Sequence, residues 1–360
     1  MIVTHLELTD FRSYHRLQLD FDSGLNVLVG QNGIGKTNVV EAINYLSLAR
    51  SFRTANDALL VRRGSELGVI KATIAQSASI RRITIALSGN GKKILINDKP
   101  VTRLSELSNV ANVLVFEPRD VIIFDDLPKA RRKFLDIALI KHSSEYLDAI
   151  SRYERLLKER NEILKQERVN LMQLEVVTEQ LINASQPIVI WRAKYLINVN
   201  SVINKVLKAI KGSEHHAKIE YLPFTSVGPD FLIKAKELYD RTKEGDLKRK
   251  VTSVGPHRDD FRLDLNESDI AAFGSQGENR LLAIALKLSP YFLIEEKEKR
   301  PIVVLDDVLS ELDNDTQDKL ISFLMKLDQT FITTTTYKRQ SGTIYDVGPQ
   351  GIQRRLGYGN

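Results

Sequence analysis

The sequence predicts an α/β fold in which two strand-containing stretches, 1–128 and 251–360, form the lobes of one domain, separated by a mainly helical insertion, 129–250. Three observations predict it. Short runs of alternating apolar and polar residues, closed by Gly, Asn and Asp, fill the first 128 residues. Between 129 and 211 strand signals are few, one proline occurs, and apolar residues recur among charges at helical spacing. From 251 the strand-and-helix style returns, with "PIVVLDD" reading as a strand buried on both faces.

In order along the chain, "MIVTHLELTDFRSYHRLQLDF" alternates as a strand pair does, and "LNVLVG" is a third strand. "KTNVVEAINYLSLAR" gathers its apolar residues on one face and reads as a helix. "GVIKATIA", "RRITIAL" and "KKILIN" are antiparallel strands, the last two joined by a hairpin at "SGNGKK", 88–93, and "NVLVF" closes the lobe. In the insertion Ile150, Leu157, Leu164 and Leu171 repeat every seven residues, but Tyr153, Arg160 and Glu167 spoil the companion positions of a coiled-coil seam. After Pro187, Ile188, Trp191, Tyr195, Val199, Val202 and Val206 recur at spacings of three or four. Two helices packed as an antiparallel arm or small bundle are expected. "AKIEYLPF" is then a strand, a short helix surrounds "FLIKAKELYDR", and the charged "DLKRK" ends the insertion. The last lobe holds the strand "DDFRLDLN", the turn "FGSQGE" with its helix "NRLLAIALKL", the strand "PIVVLDD", a helix from about Asp313 and the strand "TFITTTT".

Composition narrows the function. The 360 residues are 42% hydrophobic and 27% charged, enough for a buried core. A balance of 52 Lys and Arg against 46 Asp and Glu leaves +6 and a pI near 9.2, compatible with a polyanionic partner without requiring one. Without cysteine there is no disulfide framework, thiolate zinc site or thiol nucleophile. No run of about 18 apolar residues is present to span a bilayer, and the amino terminus lacks the regions of a signal peptide. A cytoplasmic location without membrane partners is expected.

Chemistry concentrates in three segments. "GQNGIGKT", comprising Gly30, Gln31, Asn32, Gly33, Ile34, Gly35, Lys36 and Thr37, fits G-x-x-x-x-G-K-T between a strand and a helix, the context of a P-loop. Its glycines let backbone N–H groups face phosphates at a helix N-terminus, Lys36 brings a point charge to the β and γ phosphates, and the Thr37 hydroxyl suits Mg2+. The acids ending "PIVVLDD" are its expected partner: Asp306 would hold Mg2+ through its water shell, and Asp307 would orient the attacking water or take its proton. "SQGE", comprising Ser275, Gln276, Gly277 and Glu278, opens a helix whose positive end suits a γ-phosphate. Alone it reads as an ordinary N-cap, but it stands between the two nucleotide segments.

This constellation resembles the ABC-type ATPase heads of the SMC class of chromosome and repair proteins, and more closely the RecF family of bacterial recombination mediators. The resemblance spans nearly the whole chain: "LELTDFRSY", the P-loop, "ARSFRT" at 49–54, "GPHRDD" at 255–260, "FGSQGENR" and "VLDDVLSELD". It implies an ABC-type ATPase head of two lobes with an inserted arm, using ATP and Mg2+. It also implies an ATP-dependent homodimer in which Ser275 to Glu278 of one subunit cap the ATP held by the other. Position by position, Arg12 and Ser13 match the segment that approaches nucleotide, Asn38 continues the P-loop, and Ser310 to Asp313 match the loop that crosses the interface. Arg12 otherwise reads as a solvated strand-end residue, and His257 and Arg258 of "GPHRDD" either line a DNA side or shape a turn. The implied activity is a weak, DNA-dependent ATPase used as a switch. It dimerises on ATP, binds duplex DNA at gaps or single/double-strand junctions, leaves after hydrolysis, and with RecO and RecR loads RecA onto single-stranded DNA.

Two departures bear on mechanism. Many ABC ATPases place a Gln on a lobe-linking loop and a His after the last core strand, where "VFEPRDV" offers Glu117 and "FITTTTY" a threonine run. The catalytic position is Asp307, one methylene shorter than Glu, which favours slow turnover. For DNA, residues 129–168 carry eleven Lys and Arg against seven Asp and Glu. Lys129, Arg131, Arg132 and Lys133 of "KARRK" are the best local patch for non-specific phosphate contact, and the same mixture of signs also fits a solvated helical face. Two other readings stand beside this one. A transporter ATPase subunit is opposed by the insertion and the missing Gln and His; an SMC-type chromosome-tethering ATPase is opposed by a helical run, 129–211, of only about 80 residues with a broken heptad seam.

Overall fold

Alternation in the amino-terminal runs becomes an antiparallel sheet in the computed structural model, which describes residues 1–355 apart from 78, 125–127 and 213. Ile2–Phe11 pairs with Tyr14–Asp20 on one side and Leu67–Gln76 on the other, followed by Ser79–Ser88, Gly91–Ile96 and the short Lys99–Pro100. Its inward residues, among them Leu6, Leu8, Ile70, Ile74, Ile83 and Ile85, are fully buried at the period of two that a pleated strand imposes. The expected hairpin is present, with Ser88 paired to Gly91.

The second sheet is parallel through its centre. Val113–Phe116, Ile302–Leu305, Gln329–Thr334, Gly24–Val29 and Thr343–Gly348 lie in that order, and Gly351–Arg354 adds an antiparallel edge. Ile302 to Leu305 are all fully buried, as befits an apolar run covered on both faces. Register aligns Leu305 with Phe116 and Ile332, and Val29 with Thr334. The P-loop, Asp306, Asp307 and Glu117 therefore leave the sheet at its carboxyl end, where parallel sheets bind ligands. Helix Lys36–Leu48 packs Val39, Val40, Ile43 and Leu46 into the core shared by both sheets.

Contacts group the chain into two compact units: Met1–Asp120, Lys205–Glu214 and Arg280 onward in the first, Val121–Asn204 and His215–Asn279 in the second. The breaks expected at 128/129 and 250/251 differ from this grouping. Residues 251–279, expected in the last lobe, join the second unit because Asp260–Leu265 pairs with Ala217–Leu222, Phe261 opposite Tyr221 and Leu263 opposite Ile219.

The second unit contains Pro128–His142, Ser144–Lys165, most of the 40-residue helix Leu171–Ile210, and Phe231–Arg249. The chain turns between the two arm helices at 166–170, and Pro187 lies inside the long helix. Buried Ile163, Leu164, Leu174 and Val177 pack around that turn. Proline removes one backbone bond, a local cost that a long helix held by its buried residues absorbs. The outer edge of Ala217–Leu222 is closed by Asn200 and Asn204, whose side-chain amides exchange hydrogen bonds of 2.7–2.9 Å with the backbones of Ile219 and Ala217. Among the described residues no helix is long and apolar enough to cross a membrane.

Candidate active site

The P-loop links the strand ending at Val29 to the helix beginning at Lys36. Gly35 takes φ +118°, and a Cβ there would lie 2.6 Å from the Tyr14 hydroxyl, so a side chain is excluded on two counts. Gln31, Asn32 and Gly33 are exposed over the loop, while Ile34 packs against the core and Gly30 begins the turn. Lys36 reaches back across it, donating to the carbonyls of Gly30 at 2.6 Å and Gln31 at 2.8 Å. It is 6% exposed, and burial lowers its pKa against the opposing pull of Asp307 and Asp306. Such an ammonium is well placed to receive an anion.

Thr37 and Asp306 meet as the sequence predicts. The hydroxyls of Thr37 and Thr333 both donate to Asp306 Oδ1, at 3.0 and 2.6 Å. Burial raises the Asp306 pKa, and the two hydroxyls work in the other direction. Thr333 also accepts from the Asp307 N–H at 2.9 Å, so the threonine run bridges the two acids in the place where a His was sought. Asp307 has φ +48°, and its Oδ1 is buried without a protein partner. On the neighbouring strand, burial and then the charge of Asp120 push Glu117 up to about 7.

These groups fit the ligands that a P-loop implies. Thr37 and Asp306 supply hard oxygen donors, too few for a protein cage and suited to Mg2+, which retains waters and phosphate oxygens. Among the described residues no cluster of three or more His, Cys, Asp or Glu forms a rival metal site. The orphaned Asp307 oxygen is a buried acceptor that a water can complete.

Arg12 is no solvated strand end. It grips Glu41 through two hydrogen bonds of 2.8 and 2.7 Å and gives a third, 3.0 Å, to the Leu59 carbonyl. Glu41, fully buried in the P-loop helix, also receives Ser51 and Arg53, and Arg53 reaches Asn38 at 3.0 Å. Ser13 accepts from Asn38 at 2.9 Å. "FRSY" and "ARSFRT" therefore close around one carboxylate. Glu41 was missed in the sequence, where its only signal is a lone acid inside an apolar helix face.

Ser275 and Glu278 form a reciprocal cap. The Ser275 N–H and hydroxyl donate to Glu278 at 2.9 and 2.7 Å, and the Glu278 N–H donates to Ser275 Oγ at 3.3 Å. Ser275, Gln276 and Gly277 are exposed at the start of helix Gln276–Leu293.

The basic patch expected to meet DNA is half structural. Arg131 pairs with Asp260 through bonds of 2.6 and 2.7 Å, and Arg132 donates to the Asp259 carbonyl at 2.7 Å, which leaves Lys129 and Lys133 as its exposed members. "GPHRDD" is the other side of this tie. Gly255, at φ +130°, sits where a Cβ would meet the Tyr153 and Tyr239 hydroxyls at 2.4 and 2.7 Å. Arg192 donates to the Pro256 carbonyl at 2.7 Å and to Asp136 at 2.8 Å, and Asp259 accepts from Tyr221 and from the Phe224 N–H. His257 meets the Tyr153 hydroxyl at 2.7 Å, with burial lowering its pKa to about 4. Only Arg258 of the segment is exposed. Of the two roles open for His257, shaping a turn is the one its contacts fit.

Comparisons with known proteins point the same way. A family model described as the RecF/RecN/SMC N terminal domain matches residues 2–346. The DNA replication and repair protein RecF of Bacillus cereus (strain G9842) is 36% identical over 346 residues, covering 93% of this chain and 92% of the relative. That of Bacillus thuringiensis (strain Al Hakam) is 35% identical with the same coverage. A solved structure of the recombination mediator protein RecF with ATP, in the RecFOR pathway, matches with a TM-score of 0.88 and 29% identity, covering 98% of this chain and 97% of that one. An Smc head bound to the C-winged helix domain of ScpA shares the fold at a TM-score of 0.61 and 14% identity, covering 99% of this chain and 98% of that one.

Proposed function

Because this chain belongs to the RecF family, within the RecF/RecN/SMC class of ABC-type ATPases, we propose that it is an ATP-controlled clamp for DNA in replication and repair. Two copies close on ATP and Mg2+, hold duplex DNA at gaps or junctions, and part after slow, DNA-stimulated hydrolysis in the cytoplasm. The observation that carries this reading is the cluster Thr37, Asp306 and Thr333 beside a P-loop whose buried lysine is bonded to carbonyls. The RecFOR pathway of the solved relative supports RecO and RecR as partners and RecA loading as the outcome. Whole-length similarity to RecF relatives sets this above the transporter and chromosome-tethering readings.

Each residue then has a task. Lys36 exchanges its carbonyls for the β and γ phosphates, and the loop N–H groups cradle them. Thr37 and Asp306 would hold Mg2+, which would supply positive charge against the phosphates. Asp307 orients the attacking water. Exposed Ser275, Gln276 and Gly277, at the positive end of their helix, cap the γ-phosphate of the ATP held by a second copy.

Sedimentation with and without ATP and Mg2+ tests this on three variants. Lys36→Met should lose nucleotide and stay monomeric. Ser275→Arg should bind nucleotide yet stay monomeric, and Asp307→Asn should dimerise and persist. If Ser275→Arg weakened ATP binding as much as Lys36→Met does, capping in trans would be excluded.

A further inference from the structure

The helix that begins at Gln276 carries a residue that none of these roles uses. Arg280 is 3% exposed, and its Nη2 donates to the backbone carbonyl of Asp307 at 3.1 Å while Nη1 contacts the exposed Glu311. Its Nε is buried without a partner, as is Asp307 Oδ1. Burial lowers the arginine's pKa and the charge of Asp307 opposes this, so the two groups feel one another. A guanidinium has five N–H donors, and burying it with Nε unbonded costs free energy that packing alone does not explain.

What it holds is a residue in an unfavourable conformation. Asp307 sits in the left-handed region at φ +48°, which few residues with a side chain adopt, although Asp enters it more readily than most. Here both ends are pinned. Its N–H is fixed by Thr333 at 2.9 Å, and its carbonyl accepts from Arg280 at 3.1 Å and from the Ser310 hydroxyl at 3.2 Å.

We propose that Arg280 is the positioning residue of Asp307, clamping the peptide after the carboxylate so that the side chain is aimed at the attacking water. The clamp also ties that posture to the helix that opens at the exposed Ser275 to Gly277. The proposal rests on Asp307 being the hydrolytic carboxylate, as read above.

The test compares full-length Arg280→Gln, Arg280→Lys, Asp307→Asn and the double variant Arg280→Gln/Asp307→Asn. Arg280→Gln should bind ATP with unchanged affinity and lose kcat by about 100-fold, the scale expected of a misplaced catalytic group. Arg280→Lys, which keeps one donor for the Asp307 carbonyl, should recover part of it and carries the comparison if Arg280→Gln fails to fold. Because Arg280 acts through Asp307, the double variant should be no slower than Asp307→Asn alone. A second readout involves no turnover: backbone hydrogen exchange over residues 305–312 should quicken in Arg280→Gln, since the clamped Asp307 carbonyl shares its peptide with the Val308 N–H and helps hold the Asp307 backbone whose N–H bonds Thr333. Wild-type kcat, multiplying losses in the double variant, or unchanged exchange would each overturn the proposal. Hydrolysis retained by Asp307→Asn would instead remove the reading of Asp307 on which it rests.

Discussion

Single residues in this site are polar groups buried with fewer partners than they can take. Lys36 shows the consequence most directly: its charge is desolvated and its bonds go to two carbonyls. Lys36→Met should therefore leave the stability of the nucleotide-free protein within about 1 kcal/mol, while the rise in Tm produced by ATP disappears. Differential scanning calorimetry reads both, and a surviving ATP shift would displace the P-loop assignment. Glu117 gives a pH prediction. Its folded pKa, about 7, lies above the ordinary 4.5, so the unfolded chain releases this proton earlier than the folded one as pH rises. Stability from this group is complete below 4.5, falls between 4.5 and 7, and is gone above. Glu117→Gln has no such proton, so stability should shift in the variant's favour by about 1–3 kcal/mol between pH 4.5 and 8. Parallel urea-denaturation curves for the two proteins would contradict it. The P-loop and the two acids could be read from sequence because each is a local pattern. Thr333, Glu41 and Arg280 could not, since their partners are brought to them by strand pairing or helix packing far away in sequence.

Elements were legible where period and breakers agreed, and misread where tertiary contacts overruled them. The hairpin at 88–91, the strand Ile302–Leu305 and the helix Asn314–Leu324 behind its Asp313 cap follow directly from pattern. Pro187 misled because a proline inside a helix reads as a boundary, yet the turn lies at 166–170 where Leu164 and Leu174 meet. The strands Thr343–Gly348 and Gly351–Arg354 were missed: they are short and follow a charged loop. "KARRK" reads as a phosphate patch or a solvated helical face and "GPHRDD" as the lining of a DNA side or a turn, and together they form one tie. That tie carries a stability prediction. Arg131→Glu opposes Asp260 with a like charge in a site where the arginine side chain is 12% exposed, and should cost about 2 kcal/mol. Gly255→Ala meets both a left-handed φ and two tyrosine hydroxyls, and should cost about 3 kcal/mol. Urea denaturation of both variants checks this, and a loss of DNA affinity by Arg131→Glu at unchanged stability would return Arg131 to the DNA surface.

For the whole molecule the proposed clamp raises the question of what two copies would gain by closing. The chain carries +6, and with Arg131 and Arg132 engaged in the fold, Lys129 and Lys133 are what the "KARRK" patch still offers to phosphates. In the proposed clamp a single copy would present too little of such a surface for tight binding, whereas two copies joined by ATP would present both halves at once and gain from their effective concentration. DNA affinity should therefore rise with ATP. It should fall with salt at a log–log slope of about 0.9 per phosphate neutralised and depend little on base sequence. Lys129→Glu with Lys133→Glu should shallow that slope by about 1–2 units, while sedimentation still reports the ATP-dependent dimer. Ser275→Arg should do the reverse, keeping the weak salt-dependent binding of the monomer and losing the gain from ATP. Binding by the wild type that ignored both ATP and salt would defeat the clamp and leave a nucleotide switch whose partners are proteins alone.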